Sequence, residues 1–207
     1  MIVGIDEAGR GPVIGPLVIC ALGIEEEARV AFVKKDSKKL TPRRREAYAS
    51  EIEKLGKVSL VEVWPVEIDK LRETLSINQI EVQKMACAVA SLGRAERIYV
   101  DACDVDEERF GRELKTFLAY DCDIISKHAA DEMYPIVAAA SILAKVCRDR
   151  LVSQIRKQVG QDFGSGYPSD KKTVAFLTRW LSEHETYPDF VRKSWRTKIA
   201  SNLYRRL

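Results

Sequence analysis

The chain has 207 residues, a hydrophobic fraction of 46% and a formal net charge of +3. This length is sufficient for the core of a globular domain. Met1 begins directly on the first predicted strand without a signal sequence, and no long uncharged apolar stretch could span a membrane. We therefore expect a cytoplasmic protein. Five scattered cysteines without a Cys-x-x-Cys pair favour free, mostly buried thiols, and none has an evident base beside it for catalysis.

The spacing of apolar residues predicts an α/β chain. Residues 1–5 form a short buried strand and residues 13–23 its neighbour, before a polar loop. Thr41 is placed to cap a charged helix that ends near residue 56, with Pro42 at its first position. The later elements follow in chain order: a strand over 58–64, a helix over 77–92, a strand over 98–101, a helix over 107–118, a strand over 122–126, and helix beyond residue 135 except for a loop over 160–169.

Residues 4–11 read Gly-Ile-Asp-Glu-Ala-Gly-Arg-Gly and place two carboxylates at the end of the first strand. Strand alternation alone would send Asp6 and Glu7 to opposite faces, whereas a strand that ends at Glu7 would let both face one cleft. The glycines that follow let backbone amides approach a phosphate. A single acidic pair is usually a solvated turn, so a functional site requires partners elsewhere in the chain.

Two further acids lie in suitable places. Asp101 ends a predicted strand that follows a helix, which suits the carboxyl edge of a parallel sheet, where ligands bind. Asp131 precedes a long apolar helix that opens with Pro135, so it is either a cap or a ligand. Clustering four acids without cations would cost several kcal/mol per desolvated charge. Oxygen ligands without a Cys/His set favour Mg²⁺ or Mn²⁺ over Zn²⁺.

Charge is distributed unevenly along the chain. From residue 145 onward there are 14 Lys and Arg against 6 Asp and Glu, a net of +8, so residues 1–144 carry −5. This division suits a phosphate chain held by the basic part and cut by the acidic part, although a solvated basic helical face is a common alternative. Trp180 and Trp195 could stack on bases, but the helical spacing of Phe176-Leu177 and Trp180-Leu181 favours core packing for those residues.

Three other features of the sequence could belong to functional sites. The glycines at 9, 11 and 15 follow a strand as in a dinucleotide-binding fingerprint, but the third comes one residue late and two carboxylates occupy the place of the pyrophosphate. His184 is predicted to be a surface or capping residue. His128 lies three residues before Asp131 and either supports that acid or serves the fold.

Five blocks in this order resemble type 2 ribonuclease H (ribonuclease HII), most closely its archaeal branch. They cover nearly the whole chain: residues 4–11, Asp-Ser-Lys-Lys-Leu at 36–40, Tyr-Val-Asp-Ala at 99–102, Ala-Asp-Glu-Met-Tyr-Pro at 130–135 with the helix that follows, and Gly-Ser-Gly-Tyr-Pro at 164–168. The resemblance implies a ribonuclease H-like α/β fold, with a mixed five-stranded sheet flanked by helices. Residues 1–160 would form the catalytic domain and residues 161–207 a helical segment that completes the substrate groove.

The resemblance also implies an activity and a site. Family members hydrolyse the RNA strand of RNA/DNA hybrids and incise duplex DNA at single embedded ribonucleotides. Carried over by position, the catalytic, metal-binding carboxylates are Asp6, Glu7, Asp101 and Asp131. The implied substrate-binding residues are Gly9, Arg10 and Gly11, which grip the ribonucleotide and a neighbouring phosphate largely through backbone atoms, Tyr167, which senses the ribose 2′-hydroxyl, and Lys38, which touches the substrate backbone. Relatives often carry lysines at the positions of Ala129 and Met133, so a local lysine contact is not expected here.

The expected mechanism is hydrolysis with two metal ions about 4 Å apart. Asp6 would bridge both ions, Glu7 and Asp101 would help to hold them, and Asp131 would hold the ion that activates water. The products would be a 3′-hydroxyl and a 5′-phosphate, without a covalent intermediate. Two alternatives remain: a DNA nuclease or Holliday-junction resolvase, which would cut all-DNA duplex, and a non-catalytic nucleic-acid-binding module, whose activity and stability would not respond to metal.

The expected partners are RNA/DNA hybrid and ribonucleotide-containing duplex DNA, with no membrane. We expect a monomer. Residues 201–207 lack the Gln and paired aromatics of a typical sliding-clamp-binding tail, so a clamp contact is not evident from the C-terminus.

Overall fold

The computed structural model describes residues 1–33 and 41–195, and its centre is one five-stranded sheet. The strands are β1 (Ile2–Ala8), β2 (Leu17–Ile24), β3 (Lys57–Val63), β4 (Arg97–Asp101) and β5 (Asp123–Lys127), in the order β3-β2-β1-β4-β5. Strand β1 pairs antiparallel with β2 and parallel with β4, and β4 pairs parallel with β5. The predicted mixed five-stranded sheet is therefore confirmed.

Seven α-helices accompany the sheet within the described residues: α1 (Pro42–Ile52), α2 (Pro65–Leu71), α3 (Ile77–Leu92), α4 (Glu107–Thr116), α5 (Ala130–Met133), α6 (Pro135–Val159) and α7 (Lys171–Glu183), with a short 3-10 helix at Glu27–Val30. Helix α1 begins as predicted, because the Thr41 hydroxyl accepts a hydrogen bond from the Arg44 amide. Helices α2 and α5 were not predicted, since seven and four residues are too few for a periodic pattern. None of the helices in the described ranges is long and apolar enough to cross a membrane.

One predicted helical region is wrong. Helix α7 ends at Glu183 with His184 as its C-cap, and residues 184–195 contain no helix. Pro188 explains the difference, because a proline removes a backbone donor and disfavours helix at the residue before it. The His184 ring stacks on Trp180, which agrees with the predicted capping role.

The chain divides into two compact units, each built from separate segments. The first contains Met1–Ala8, Val18–Glu62 and Ser76–Cys147, and the second contains Gly9–Leu17, Val63–Leu75 and residues 148–195 of the described chain. Helix α6 contributes residues to both units. This division does not test whether residues 161–207 form a domain of their own, which stays a prediction.

Close packing in the first unit depends on a glycine in β1. A Cβ on Gly4 would lie only 2.6 Å from the backbone carbonyl of Ile136, in the first turn of α6. The absence of a side chain therefore lets the strand lie directly against this helix. One consequence is that Ser141 of α6 hydrogen-bonds to the side chain of Asp6.

The second unit has its own apolar core. Its buried residues come from the first and the last of the three segments of the unit: Val13, Ile14, Val152, Ile155, Phe163, Phe176, Leu177 and Val191. Trp180 and Trp195 pack against this cluster, and the Trp180 ring contacts both Phe176 and Phe190. The core interpretation of Trp180 is confirmed.

All five cysteines are free, as predicted. Only Cys20 and Cys122 are buried, however, while Cys87 is exposed and the other two are half-buried. The expectation of mostly buried thiols is therefore wrong. Local position decides the exposure, because Cys87 lies on the outer side of α3.

Candidate active site

Asp6 is the most enclosed of the predicted catalytic acids on β1, with 4% of its surface exposed. Its Oδ1 accepts a hydrogen bond of 2.7 Å from the Glu7 amide, and Ser141 supplies a second bond. Burial raises the pKa of Asp6 well above its ordinary value, and the charges of Glu7 and Asp101 raise it further. The two hydrogen bonds oppose this shift but do not cancel it.

Glu7 lies one residue before the end of β1, which continues to Ala8. The strand is therefore longer than the predicted range of 1–5 and does not end at Glu7, because β1 stays paired with β2 through Ala8 and Val18. The charges of Glu7 and Asp6 still act on each other despite the alternation of the strand. Strand geometry thus separates the two side chains without isolating them electrostatically.

Two residues that the sequence did not suggest lie beside Glu7. The Cys103 thiol is 3.1 Å from Glu7 Oε2, and the carboxylate of the fully buried Glu81 on α3 is close to both. Their ligand atoms lie within 4.8 Å of one another. The expectation that no thiol has a base beside it is wrong for Cys103, because the loop after β4 returns to the end of β1.

Asp101 is the last residue of β4, next to β1 at the carboxyl edge of the parallel pair. The register pairs Ile5 with Val100, so the next residue of each strand is Asp6 and Asp101. Asp101 Oδ1 accepts a hydrogen bond of 2.8 Å from the Ala130 amide. This edge is where ligands bind in α/β sheets, as the sequence predicted.

Asp131 lies in the short helix α5, directly after the amide that donates to Asp101, and only 4% of its surface is exposed. The N-cap of α5 is Ala129, which has a φ of 51°. A left-handed alanine is uncommon, so the turn that carries Asp131 is held by its surroundings.

His128 is part of what holds this turn. Its Nε2 lies 2.6 Å from the carbonyl oxygen of Asp104, and its amide donates to Glu107. Because a carbonyl only accepts, Nε2 carries the hydrogen. The structure thus shows His128 linking the turn after β5 to the loop after β4, which supports the loops that carry the acids.

Asp104 organises the loop after β4. Its carboxylate accepts hydrogen bonds from the Asp106 amide, Asn78 and Arg109, at 3.1, 3.0 and 2.5 Å. These bonds, with that from Asp106 contributing most, lower the pKa of Asp104 to about 2. The loop that brings Cys103 to Glu7 therefore has a firmly ionised anchor.

The donor set fits a hard divalent cation. Asp6, Glu7 and Asp101 concentrate negative charge at one sheet edge, and the raised pKa of Asp6 shows that the fold alone does not offset it. A divalent ion would offset this charge, and carboxylate oxygens are the ligands that Mg²⁺ and Mn²⁺ prefer. Asp131 follows the amide that fixes Asp101, which makes it the fourth candidate ligand.

The Gly9-Arg10-Gly11 turn belongs to the second unit and is held through its carbonyls. The fully buried Arg192 donates from Nη2 to Gly9, at 2.6 Å, and from Nη1 to Arg10, at 2.8 Å. Its Nε and Nη2 also donate to the Gly15 carbonyl. With these carbonyls engaged, the turn has its shape fixed before any ligand binds.

Tyr167 lies beside this turn, with 43% of its surface exposed. A Cβ on Gly11 would be 3.1 Å from the Tyr167 ring, so the ring packs against the glycine. The loop that carries Tyr167 is tied to Asp170, which accepts bonds from the amide and hydroxyl of Ser165 at 2.6 and 2.7 Å. The ring is therefore held next to the turn while remaining accessible.

Some predicted residues lie outside the described part of the chain. These are Lys38 with the rest of the block at 36–40, and the C-terminal residues 201–207. Conversely, the structure adds residues that no sequence motif indicated: Glu81 and Cys103 near Glu7, and Arg148 and Arg192 near the Gly9 turn. The apolar pair Phe190-Val191 directly before Arg192 was a signal in the sequence for the burial of this arginine.

Comparison with solved structures shows the fold. The chain superposes on the ribonuclease H2 of Pyrococcus horikoshii with a TM-score of 0.91 and 41% identity, covering 99% of this chain and 97% of that one. The ribonuclease HII in the PCNA:RNase HII complex of Archaeoglobus fulgidus gives a TM-score of 0.87 and 41% identity, covering 95% and 94% of the two chains. Fold and acidic site together define a metal-dependent nuclease of the ribonuclease H fold.

Sequence comparison specifies the family. A family model for Ribonuclease HII matches residues 3–198. The Ribonuclease HII of Thermococcus kodakarensis is 48% identical over 211 residues, covering 98% of this chain and 90% of that protein. The chain belongs to the ribonuclease HII family. It is accordingly a metal-dependent endoribonuclease that acts on RNA/DNA hybrids.

Proposed function

We propose that this enzyme incises duplex DNA at single embedded ribonucleotides in addition to cutting the RNA strand of hybrids. Hydrolysis would leave a 3′-hydroxyl and a 5′-phosphate. The observation that carries the proposal is the group formed by Asp6, Glu7 and Asp101, whose charges meet at a buried sheet edge. Such a group suits phosphodiester hydrolysis with divalent metal and has no evident use in a passive binding module.

The proposed cofactor is a pair of Mg²⁺ or Mn²⁺ ions held by Asp6, Glu7, Asp101 and Asp131. When bound, the ions would lower the pKa of the attacking water and stabilise the leaving 3′-oxygen. Asp6 is oriented by Ser141 and by the Glu7 amide, and Asp101 by the Ala130 amide. These bonds fix the carboxylates before ligands arrive, so little reorganisation is needed on binding.

We assign the recognition of the ribonucleotide to Tyr167 and the Gly9-Arg10-Gly11 turn. The 2′-hydroxyl is the group that distinguishes RNA from DNA at the junction. An accessible phenol beside a turn whose carbonyls are held by Arg192 can test for this hydroxyl in a fixed geometry. Lys38 is proposed to contact the substrate backbone.

Removal of one acid should abolish cleavage without unfolding the protein. We expect Asp6→Asn and Asp101→Asn to reduce cleavage of a duplex with one ribonucleotide to background in Mg²⁺, because each loses a ligand charge. Asp131→Asn should be milder, since one oxygen can still ligate. Thermal midpoints without metal should stay equal or rise, because the carboxylate repulsion is relieved. Glu108→Gln is the matched control, since Glu108 is an exposed acid of α4 that pairs with Arg112.

The same assay separates this proposal from its rivals. Wild-type enzyme should cut the ribonucleotide-containing duplex with Mg²⁺, fail without it, and leave an all-DNA duplex intact. Near wild-type turnover by Asp6→Asn would contradict the catalytic assignment. Cleavage of the all-DNA duplex would instead favour a DNA nuclease or a junction resolvase.

We propose that the chain acts as a cytoplasmic monomer. The Archaeoglobus fulgidus relative was solved in complex with PCNA. The C-terminal residues of this chain lack the Gln and paired aromatics of a typical clamp-binding tail, so a clamp contact is not evident from residues 201–207. Size-exclusion chromatography of the chain alone measures its oligomeric state, and the same experiment with the clamp, before and after removal of these residues, shows whether they bind it.

A further inference from the structure

Arg148 is a buried cation that the proposed function has not used. It lies on α6 in the second unit, with 5% of its surface exposed. Among the described residues, neither its Nε nor its Nη2 has a hydrogen-bond partner. Burial lowers the pKa of Arg148, but a guanidinium keeps its charge at neutral pH. A buried charge of this kind is costly unless something pairs with it.

One of the two unpaired nitrogens, Nε, lies against the turn assigned to substrate binding. A Cβ on Gly9 would be 2.4 Å from Nε of Arg148 and 2.5 Å from its Cδ, so the glycine leaves room for this side chain. The other charged or titratable groups that act on Arg148 are Tyr167, Asp149 and Arg156. Arg148 thus lies against Gly9, and the tyrosine that is assigned to the ribose lies near enough to act on its charge.

Arg192, which contacts the same turn, provides a comparison, because its hydrogen bonds show a purely structural role. It is buried as well, but Nη1 and Nη2 donate to the carbonyls of Arg10 and Gly9 in the turn, and Nε donates to the nearby Gly15 carbonyl. Two guanidinium groups therefore lie against the turn. The donors of Arg192 are bound by carbonyls of the protein, whereas within the described residues two nitrogens of Arg148 are not. This contrast indicates that Arg148 does not serve to hold the turn together.

We propose that Arg148 binds a backbone phosphate of the nucleic acid next to the ribonucleotide, together with the Gly9-Arg10-Gly11 turn. A guanidinium can donate two parallel hydrogen bonds to one phosphate, and the amides of a glycine-rich turn can approach the same group. The proposal rests on the proposed function, because it places the phosphate beside the ribose that Tyr167 reads. Neighbouring phosphates bound elsewhere would not depend on this residue.

The test uses neutral phosphates in the substrate. Duplexes with one ribonucleotide carry a methylphosphonate at one backbone position at a time, and kcat and KM are measured for each. Wild-type enzyme should lose efficiency at several positions. Arg148→Met should raise KM on the unmodified duplex roughly tenfold to a hundredfold, with little change in kcat. It should also become insensitive to methylphosphonate at one position that weakens the wild type.

Salt dependence provides an independent readout. Loss of one phosphate contact should reduce the slope of log KM against log salt by about 0.9, and Arg148→Lys should retain the slope while losing part of the affinity. Arg112→Met, which removes an exposed charge on α4, is the control and should change neither the slope nor the methylphosphonate profile. The melting temperature of Arg148→Met should stay equal or rise, because a buried charge without a protein partner has been removed.

The outcomes distinguish this inference from the proposed function. If wild-type enzyme does not cut at the embedded ribonucleotide, the proposed function fails. If it does cut but Arg148→Met keeps the wild-type salt slope and methylphosphonate profile, only the Arg148 assignment is overturned. Should Arg148→Met not fold, the assignment is overturned, since a phosphate ligand is not needed for folding, and Arg148→Lys with wild-type KM would confirm that result.

Discussion

Tyr167 is the residue on which selectivity for RNA is expected to depend. If the ring and hydroxyl both contact the junction, Tyr167→Phe loses a hydrogen bond of about 0.5 to 1.5 kcal/mol, and Tyr167→Ala also loses stacking of about 1 to 3 kcal/mol. We therefore expect a loss of rate near tenfold for Phe and on the order of a hundredfold for Ala. The loss should be larger on a single embedded ribonucleotide than on a continuous hybrid.

A packing role for Tyr167 predicts a different result. The ring contacts Gly11 in the same unit, so its removal could act through the turn alone. In that case Tyr167→Ala would reduce the rates on both substrates equally and lower the melting temperature. The cleavage rates of Tyr167→Ala on the two substrates and its melting curve distinguish packing from recognition. Equal losses of rate on both substrates would contradict the assignment of Tyr167 to the 2′-hydroxyl.

Residues were predictable where strand geometry constrains them. Asp6 lies near the end of β1 and Asp101 ends the adjacent parallel strand β4, so the pattern of apolar runs places them near each other. Glu81, Cys103 and Arg148 could not be placed in this way. They come from helix or loop positions, and their contacts depend on the packing of segments about 75 to 140 residues away from the site motif, which a local pattern does not encode.

Elements were predicted best where their ends are chemically marked. Helix α3 spans Ile77–Leu92 as expected, because Ser76 and Gln79 form a capping box at its start. Strand β2 begins at Leu17 although apolar residues begin at 13. Val13 and Ile14, before the strand, belong to the core of the second unit. Apolar character alone does not distinguish a strand residue from a core residue outside a strand.

Two loops adjoining helices should make stability depend on acid pH. Hydrogen bonds lower the pKa of Asp170, chiefly those from Ser165, and of Asp104 to about 2. A lowered pKa means that the folded state favours the carboxylate. The resulting stability is present above the ordinary pKa of about 3.9 and is lost as the pH falls towards 2.

Urea unfolding between pH 2 and pH 6 measures this effect. Asp104→Asn and Asp170→Asn should each be less stable than wild type at pH 6, and the difference should shrink as the pH approaches 2. Asp189→Asn, which changes an exposed acid in the non-helical segment after α7, should follow the wild type throughout. A difference that stays constant with pH would mean that shape rather than charge explains the loss.

At the scale of the whole molecule, acidic and basic character follow different parts of the chain. Residues 1–144 carry a net −5 and include all four candidate metal ligands, whereas residues 145–207 carry +8. A strongly acidic site raises the local concentration of cations, and a basic segment attracts a phosphate chain. If acidic and basic residues alternated along the chain, their charges would offset each other, and neither metal ions nor phosphates would be attracted as strongly.

Metal binding should therefore stabilise the whole protein. If the four carboxylates hold Mg²⁺ in the folded state only, a concentration ten times the dissociation constant stabilises by about 1.4 kcal/mol. For a chain of this length that corresponds to a rise in melting temperature of roughly 3 to 6 °C. Calorimetry in MgCl₂, compared with NaCl of equal ionic strength, measures the rise, and Asp6→Asn should lose most of it. If Mg²⁺ does not change the melting temperature of the wild type, the four carboxylates do not bind it, which would favour a protein that binds nucleic acid without this site. If the rise persists in Asp6→Asn, the metal binds elsewhere.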